Sequence, residues 1–461
     1  MERRETVITG ATLHCDVLVV GGGPGGIPAA IAAARQGADV VLVERNGFLG
    51  GEAATGLSLL GFLDRKGRQI LGGIPQEFVD RLFELGGTLG HNRCPVHNSI
   101  SPIHPHLFRL VAMEKCVEAN VRVLLYSDIM DVTVENRKVT EVTLLSKLER
   151  ITVKPKVVID GTGNGDIGYS AGASFIKGDH KGLMQPATLM FTLGGVDLEK
   201  FLGYIEENPS EIILPDTYEQ KYTVEFFRET NGHCFIGLPR LLEKARQNGD
   251  FSVPRDRFIY ITTPKPNEVA INTSRIINFD ATDPWEMTRG EVEAHHQILE
   301  LYAFAKKYVP GFESCYLADL APGLGLRETR RIMGMKYLGI DDALAAVVPE
   351  DTIALSGYNI DIHSGDGPTI ILKNLEEPFG IPAGCLVSKD ITGLLMTGRC
   401  ISVDHEVFGS TRVMGTCMAV GEAAGTIAAV AVNSECEPNE VSIGEVRDIL
   451  LSNKVLLSIE S

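Results

Sequence analysis

Gly21, Gly23 and Gly26 stand at G-x-G-x-x-G spacing directly after a short apolar run, Val17 to Val20. In that pattern each glycine serves a dinucleotide. Gly21 permits a tight turn, Gly23 lets backbone approach a pyrophosphate, and Gly26 lets a following helix pack close to the strand. Pro24 and Gly25 complete the turn, and free N–H groups at the helix start then face the phosphates. Glu44, closing a second apolar run from Val40 to Val43, stands where a carboxylate accepts hydrogen bonds from an adenosine ribose. A bare glycine turn says little. Here strand, turn, small-residue helix from Ile27 to Arg35, stop at Gly37, second strand and terminal acid all fall in place.

Other reactive types lie further on. The stretch VDHEVFGSTRVMG holds His405, Glu406 and Arg412. Histidine titrates near working pH, so His405 is the preferred proton carrier, and Arg412 suits a carboxylate or carbonyl oxygen. His363, in YNIDIHSGDGP, is a second candidate. Arg327, Arg330 and Arg331 suit bidentate carboxylate binding or a salt-bridged face beside an apolar helix, and the structural role is the expectation. His91, Cys94, His97, His104 and His106 crowd a proline-broken loop at spacings that match no common zinc pattern. The expectation is a polar loop near the active site, without metal, one of whose histidines could touch substrate.

The elements that must position these residues read as α/β. Helices are expected at Pro75–Leu85 and Leu107–Ala119, and strands at Val121–Tyr126, Asp128–Val134, Lys138–Leu145, Arg150–Val153 and Lys156–Asp160. The last runs into DGTGNGD, residues 160–166. From about Gln185 the pattern changes to a strand at Ala187–Leu193, helices at Leu198–Glu206, Tyr218–Thr230 and Leu241–Asn248, a hairpin of Arg257–Thr263 with Val269–Thr273, and a long helix Trp285–Tyr308. This reads as a substrate or cap domain, residues 186–375, inserted between 1–185 and 376–461. Val413 to Val432 is twenty residues with one charge, Glu422, and is rich in Ala and Gly; a buried helix packing through Gly421 and Gly425 is expected, not a membrane span.

The 461 residues suit more than one domain. A net charge of −17 disfavours nucleic acid or an anionic membrane as partner. Nine cysteines without a C-x-x-C pair suit a reducing cytoplasm, and no apolar signal region follows Arg3-Arg4.

After Glu44 come Arg45, Gly50-Gly51, Glu52 and Ala53-Ala54. An acid, a basic residue and then Gly-Gly resemble the two-dinucleotide-binding-domain flavoproteins of the glutathione-reductase structural class. With GGGPGG, DGTGNGD, LRETRRIMG and GRCISVDHEVFGSTRVMGTCMAVGEAAG, the chain resembles a bacterial family of FAD-dependent oxidoreductases, distantly similar to the fumarate reductase and succinate dehydrogenase flavoprotein group. The resemblance implies FAD, not NAD, with Gly50, Gly51, Glu52 and Ala53 beneath the pyrophosphate. It implies that Gly161, Thr162, Gly163 and Asp166 return to the cofactor, as does Ile129. Gly398 and Arg399 would lie at the flavin, with the helix start at Val413, Met414 and Cys417 toward its pyrimidine side. The GGEAATGL loop has no histidine, so the expected FAD is non-covalent.

The expected activity is a dehydrogenase or reductase moving a hydride between flavin N5 and a small polar, carboxylate-bearing substrate, with an unnamed electron acceptor or donor and a possible homo-oligomer. The rivals are a flavin monooxygenase, disfavoured because Arg399 and not Asp follows Gly398, and an electron-transfer subunit, for which iron–sulfur cysteine clusters are missing.

Overall fold

The computed structural model describes residues 10–213 and 223–459. A seven-stranded sheet carries the nucleotide unit. Its order is Arg122–Leu124, Val40–Val43, Ala11–Val20, Glu149–Asp160, Lys138–Ser146, Ser127–Glu135, with Leu394–Met396 also on Glu149–Asp160. The strands that meet at the glycine turn run parallel. Val17, Leu18 and Val19 are fully buried, as continuous apolar runs must be when both sheet faces are covered.

Helix Gly26–Arg35 follows the turn and packs against helix Met414–Asn433. Glycine permits the approach: a Cβ on Gly421 would stand 2.1 Å from the Gly25 carbonyl oxygen, and one on Gly425 would stand 2.1 Å from that of Ala29. Helix Met414–Asn433 is long and apolar enough to cross a membrane by length and composition, and 94% of its most apolar stretch is buried inside the protein.

A second, antiparallel sheet orders Cys234–Gly237, Phe258–Thr262, Glu268–Ile271, Phe191–Gly194 and Tyr316–Leu320. Phe235, Phe258 and Tyr260 face a core shared with Phe201, Phe304 and Phe312. That core draws its buried side chains from residues 94–100 and 187–321. Ile332, Ile353, Leu355, Ile360 and Leu375 pack instead into the first core, so part of the stretch expected in the inserted domain joins the nucleotide unit.

Three expectations are corrected. Arg150–Val153 and Lys156–Asp160 form one strand, Glu149–Asp160. Pro155 pairs with Cys15 on one edge and is tolerated because the other edge is open there: the Lys138–Ser146 ladder reaches Val153, and the Leu394–Met396 ladder begins at Val158. The apolar helix expected beside Arg327, Arg330 and Arg331 does not form; Arg330–Ile332 is a strand paired with Phe175–Lys177. The helix expected at Tyr218–Thr230 is present as Val224–Glu229, and its first part lies outside the described residues.

Candidate functional site

A cavity of about 580 Å³ runs from the glycine turn to the second sheet. Its first half is mostly backbone. Gly21 adopts φ +104°, and a Cβ there would stand 2.3 Å from the Gly161 oxygen. A Cβ on Gly26 would stand 1.8 Å from the Gly21 oxygen. Gly23 is different: a Cβ would meet nothing nearer than Gly51 Cα at 3.9 Å, so it would fill the open cradle itself. Helix Gly26–Arg35 has no side-chain cap; Ile27 N bonds the Gly23 carbonyl at 3.0 Å and Pro28 has no N–H, which leaves the Gly26 N–H for an anion. Glu44 closes the far end, accepting from Gly22 N at 2.8 Å and from Asn46 N and Nδ2 at 2.8 and 2.7 Å.

The return turn is pinned by buried Asp160, whose Oδ1 accepts from Thr162 Oγ1 at 2.7 Å and Oδ2 from Gly168 N at 2.9 Å. Burial lifts Asp160 to about 6. Thr162 Oγ1 in turn accepts from Asp166 N at 3.0 Å, and Asp166 pairs with Arg330 at 3.0 Å. Arg330 thereby serves the turn, and Arg331 serves a buried pair with Glu328.

At the border between the halves lie Glu52, Arg399, Arg412 and the start of helix Met414–Asn433, which also has no side-chain cap. Burial pushes the Glu52 carboxyl up, against Arg399, Arg327 and Arg412. Arg399 donates to Asn164 Oδ1 at 3.2 Å, while its Nη1 is buried without a partner. Arg412 donates from Nη2 to the Asp361 carbonyl at 2.9 Å and to its Oδ2 at 3.1 Å, and its Nε has no partner.

In the second half Arg327 donates from Nη1 to the Pro186 carbonyl at 2.8 Å and Thr188 Oγ1 at 2.6 Å. Burial, then Arg412 and Arg275, push its pKa down to about 9. His363 lies between Arg275 Nη1, at 3.2 Å from Nδ1, and Asp361 Oδ1, at 3.2 Å from Nε2. Arginine can only donate, so Nδ1 accepts and Nε2 bears the proton. Burial holds His363 well below the usual histidine range, which keeps it neutral. His97 Nδ1 is 3.3 Å from Cys94 Sγ, and its ring stacks over Tyr358 at 6.2 Å between centroids. Burial disfavours its charged form, yet Cys94 and then Asp361 carry its pKa above the ordinary value.

The cavity gathers Gly21, Gly23, Pro24, Gly25, Glu44, Arg45, Gly51, Glu52 and Ile129. It also gathers Gly161, Thr162, Gly163, Asp166, Gly398, Arg399, Val413, Met414, Cys417, Arg412 and His363. Gly26, Gly50 and Ala53, expected at the cofactor, do not themselves line the cavity. His405 and Glu406 depart from expectation: neither lines the cavity. His405 Nδ1 bonds Glu328 Oε1 at 3.0 Å, and Glu406 is exposed on the first turn of helix His405–Thr411. Asp404 starts that helix by accepting from Val407 N, which turns the two side chains away. Asp361 and Arg255, which no motif marked, line the cavity, as do His97 and Arg327.

The five crowded residues of the 91–106 loop do not converge on one point: Cys94 stays with His97, His104 with His106, and His91 stands apart from both pairs. His91 bonds Ser101 and Gln76, and burial lowers it to about 4; His106 pairs with Asp319 at 3.0 Å.

Residues 16–450 match the family described as FAD dependent oxidoreductase. The chain belongs to that family. It is an enzyme, and the open Gly23 cradle, the uncapped helix starts and the unpartnered Arg399 nitrogen are what FAD binding requires. Among solved structures, a geranylgeranyl bacteriochlorophyll reductase-like protein from Thermoplasma acidophilum is 14% identical, with 97% of this chain and 85% of that one covered, at a TM-score of 0.49. The flavin-dependent brominase Bmp2 is 14% identical over 94% and 83% of the chains, at 0.49. Aquifex aeolicus GidA is 16% identical over 97% and 69%, at 0.47. No curated protein sequence matches the chain.

Proposed function

We propose that the protein is an FAD-dependent dehydrogenase or reductase of an oxygen-bearing, carboxylate-class substrate, within a glutathione-reductase-type frame. In this reading 1–185 with 376–461 hold the cofactor and 186–375 supply most of the substrate side. The observation that carries it is the pair of arginines, Arg327 and Arg412, at the border where the nucleotide half meets the second sheet. Bound FAD supplies the hydride acceptor or donor at N5. The chain supplies position and proton handling. Arg412, fixed by Asp361, and Arg327, fixed by Pro186 and Thr188, present charged donors to substrate oxygens. The helix start at Val413–Met414 stabilises negative charge beside it.

His97 is the proton carrier of this reading. Its Nε2 makes no hydrogen bond among the described residues, its ring lines the cavity, and Cys94 fixes Nδ1. His363 is tied on both nitrogens and instead orients Asp361 and, through it, Arg412. His405, held by Glu328, has a structural role.

The test is an anaerobic panel of hydroxy-carboxylates mixed with the oxidised enzyme, and of unsaturated carboxylates and keto-acids mixed with the dithionite-reduced enzyme. Flavin bleaching or recovery is followed in each case. Redox change with any of these supports the reading. No response to the panel, together with NADH consumption and oxygen-dependent hydroxylation, would establish a monooxygenase instead.

A further inference from the structure

One cavity cation has no hydrogen-bonded counter-ion among the described residues. Arg255 lines the cavity and is 3% exposed; its guanidinium makes no hydrogen bond or ion pair among the described residues, and its Nε is buried without a partner. A lone buried cation is costly, so a partner is expected when the site is in use. The nearest acid in sequence is already taken, because both Asp256 oxygens accept from Arg257 at 2.7 Å. Nearby Arg275 is committed to the Gly367 carbonyl and to His363. Burial, and then Arg275, Arg327 and Arg257, hold Arg255 well below the usual arginine range, and all of these are relieved by an anion. Asp361 and Glu291 also line this half, but Asp361 is held by Arg412 and His363, and Glu291 accepts from Leu324 N at 2.9 Å.

The surface beside Arg255 defines the rest of the ligand. Three residues later begins strand Phe258–Thr262. Its even and odd positions face opposite ways: Phe258 and Tyr260 enter the aromatic core, while Ile259 and Ile261 line the cavity. Across the ladder Ile259 pairs with Ile236 and Ile261 with Cys234, and both partners also line the cavity, as does Met190. This is an apolar floor with a cation at its edge. A wholly polar substrate would leave the floor in contact with water.

We propose that Arg255 anchors the carboxylate of an organic anion with an apolar body, a fatty-acid-like or arylalkanoic acid, lying on the Ile236–Ile259–Ile261 floor. This rests on the function proposed above and deepens it. Arg327 and Arg412 orient the reacting oxygen, and Arg255 selects for a remote anionic group.

The experiment titrates the FAD-loaded protein calorimetrically with octanoate, butyrate and octanamide. Octanoate is expected to bind at least tenfold tighter than either. Arg255→Met is expected to bring octanoate to the level of octanamide, with octanamide affinity and flavin content unchanged, and Arg255→Lys to restore part of the preference. Ile259→Asn is expected to remove the advantage of octanoate over butyrate while octanoate stays ahead of octanamide. Equal binding of acid and amide by the unaltered protein, no octanoate binding, or an acid preference that survives Arg255→Met would overturn the anchor. The unaltered protein decides even if Arg255→Met fails to fold. Flavin occupancy and dithionite reduction in the same samples separate the two ideas. Full, reducible FAD without acid preference sinks the Arg255 anchor alone, whereas acid preference in a protein that no hydroxy-, keto- or unsaturated carboxylate reduces or oxidises sinks the reaction and leaves the anchor.

Discussion

The two halves of the cavity are built by opposite means. The nucleotide half is shaped by missing side chains: Gly21 and Gly26 let backbone approach backbone and Gly23 leaves open space, all within six residues. The substrate half is shaped by side chains that are present, Arg255, Arg327, Asp361, His363 and Arg412, drawn from segments up to 157 positions apart (412 − 255). The first binds a ligand that every member of such a fold must bind, and backbone suffices. The second must discriminate, and discrimination needs charge and shape from rotatable groups.

The largest effects should come from breaking the backbone half. Gly26→Ala places a Cβ 1.8 Å from the Gly21 oxygen, so loss of folded, yellow protein is expected. Gly23→Ala meets no atom nearer than 3.9 Å, so it should fold and melt like the FAD-free protein, with FAD affinity at least tenfold weaker (about 1.4 kcal/mol or more). Fluorescence of FAD released on denaturation reads both. Wild-type flavin content in Gly23→Ala would show that the cradle lies elsewhere.

Next come the side-chain arginines. Arg412→Met and Arg327→Met should keep FAD, since neither touches the glycine turn. Losing one charged hydrogen bond to the reacting group costs about 2–4 kcal/mol, roughly a hundredfold or more in the rate of flavin reduction. Anaerobic single-turnover reduction at matched flavin occupancy measures it. Unchanged rates in both variants would remove the arginines from the chemistry.

The contrast explains what the sequence disclosed. A glycine turn is local, so strand Ala11–Val20, helix Gly26–Arg35 and Glu44 were legible from period and spacing. The start of helix Met414–Asn433 was legible for the same reason. His405 misled because a histidine beside a cofactor helix looks catalytic. Only the fold shows Glu328, 77 positions away, taking its ring. Arg255 was silent because PRDR reads as mixed surface charge. Its isolation appears only when Arg257 takes Asp256. His97 stood in a crowded loop, and only the pairing of Asn92–Cys94 with Asn98–Ser101 shows that Cys94, and none of the other histidines, is its neighbour.

His97 offers a finer test through pH. With the Cys94 sulfur beside it, its pKa lies above the ordinary histidine value. For substrate oxidation it must accept a proton, so the reduction rate should climb as pH rises through that pKa. Cys94→Ser replaces an ionisable sulfur with a neutral hydroxyl, so the climb should move to lower pH. His97→Gln should flatten it, while His405→Ala should lower melting temperature with the profile in place. A profile unmoved by Cys94→Ser would exclude His97 as the titrating group.

The effect furthest from the chemistry lies under the backbone half, at Glu422. This carboxyl is 1% exposed within helix Met414–Asn433; its Oε2 accepts from Ile74 N at 2.8 Å and its Oε1 has no partner. Burial, with Glu77 adding repulsion, pushes it up to about 8, against the Ile74 N–H and Arg35. The folded chain therefore keeps a proton that the unfolded chain releases above the ordinary glutamate value of 4.5. Where the folded state binds more protons, stability falls as pH rises, here across about pH 5 to 8, by up to about 1.4 kcal/mol per pH unit. Glu422→Gln keeps an oxygen for Ile74 N and cannot ionise, so its stability should be flatter over that window and higher at pH 8. The expected gain is on the order of a few kcal/mol, read as a few degrees in Tm. Thermal melts of both proteins at pH 5.5 and 8, with FAD in excess so that cofactor loss does not intervene, measure the difference. Parallel pH dependence would mean that Glu422 is already ionised in the folded protein. The close packing of helix Met414–Asn433 on the glycine turn would then tolerate a charge beneath it.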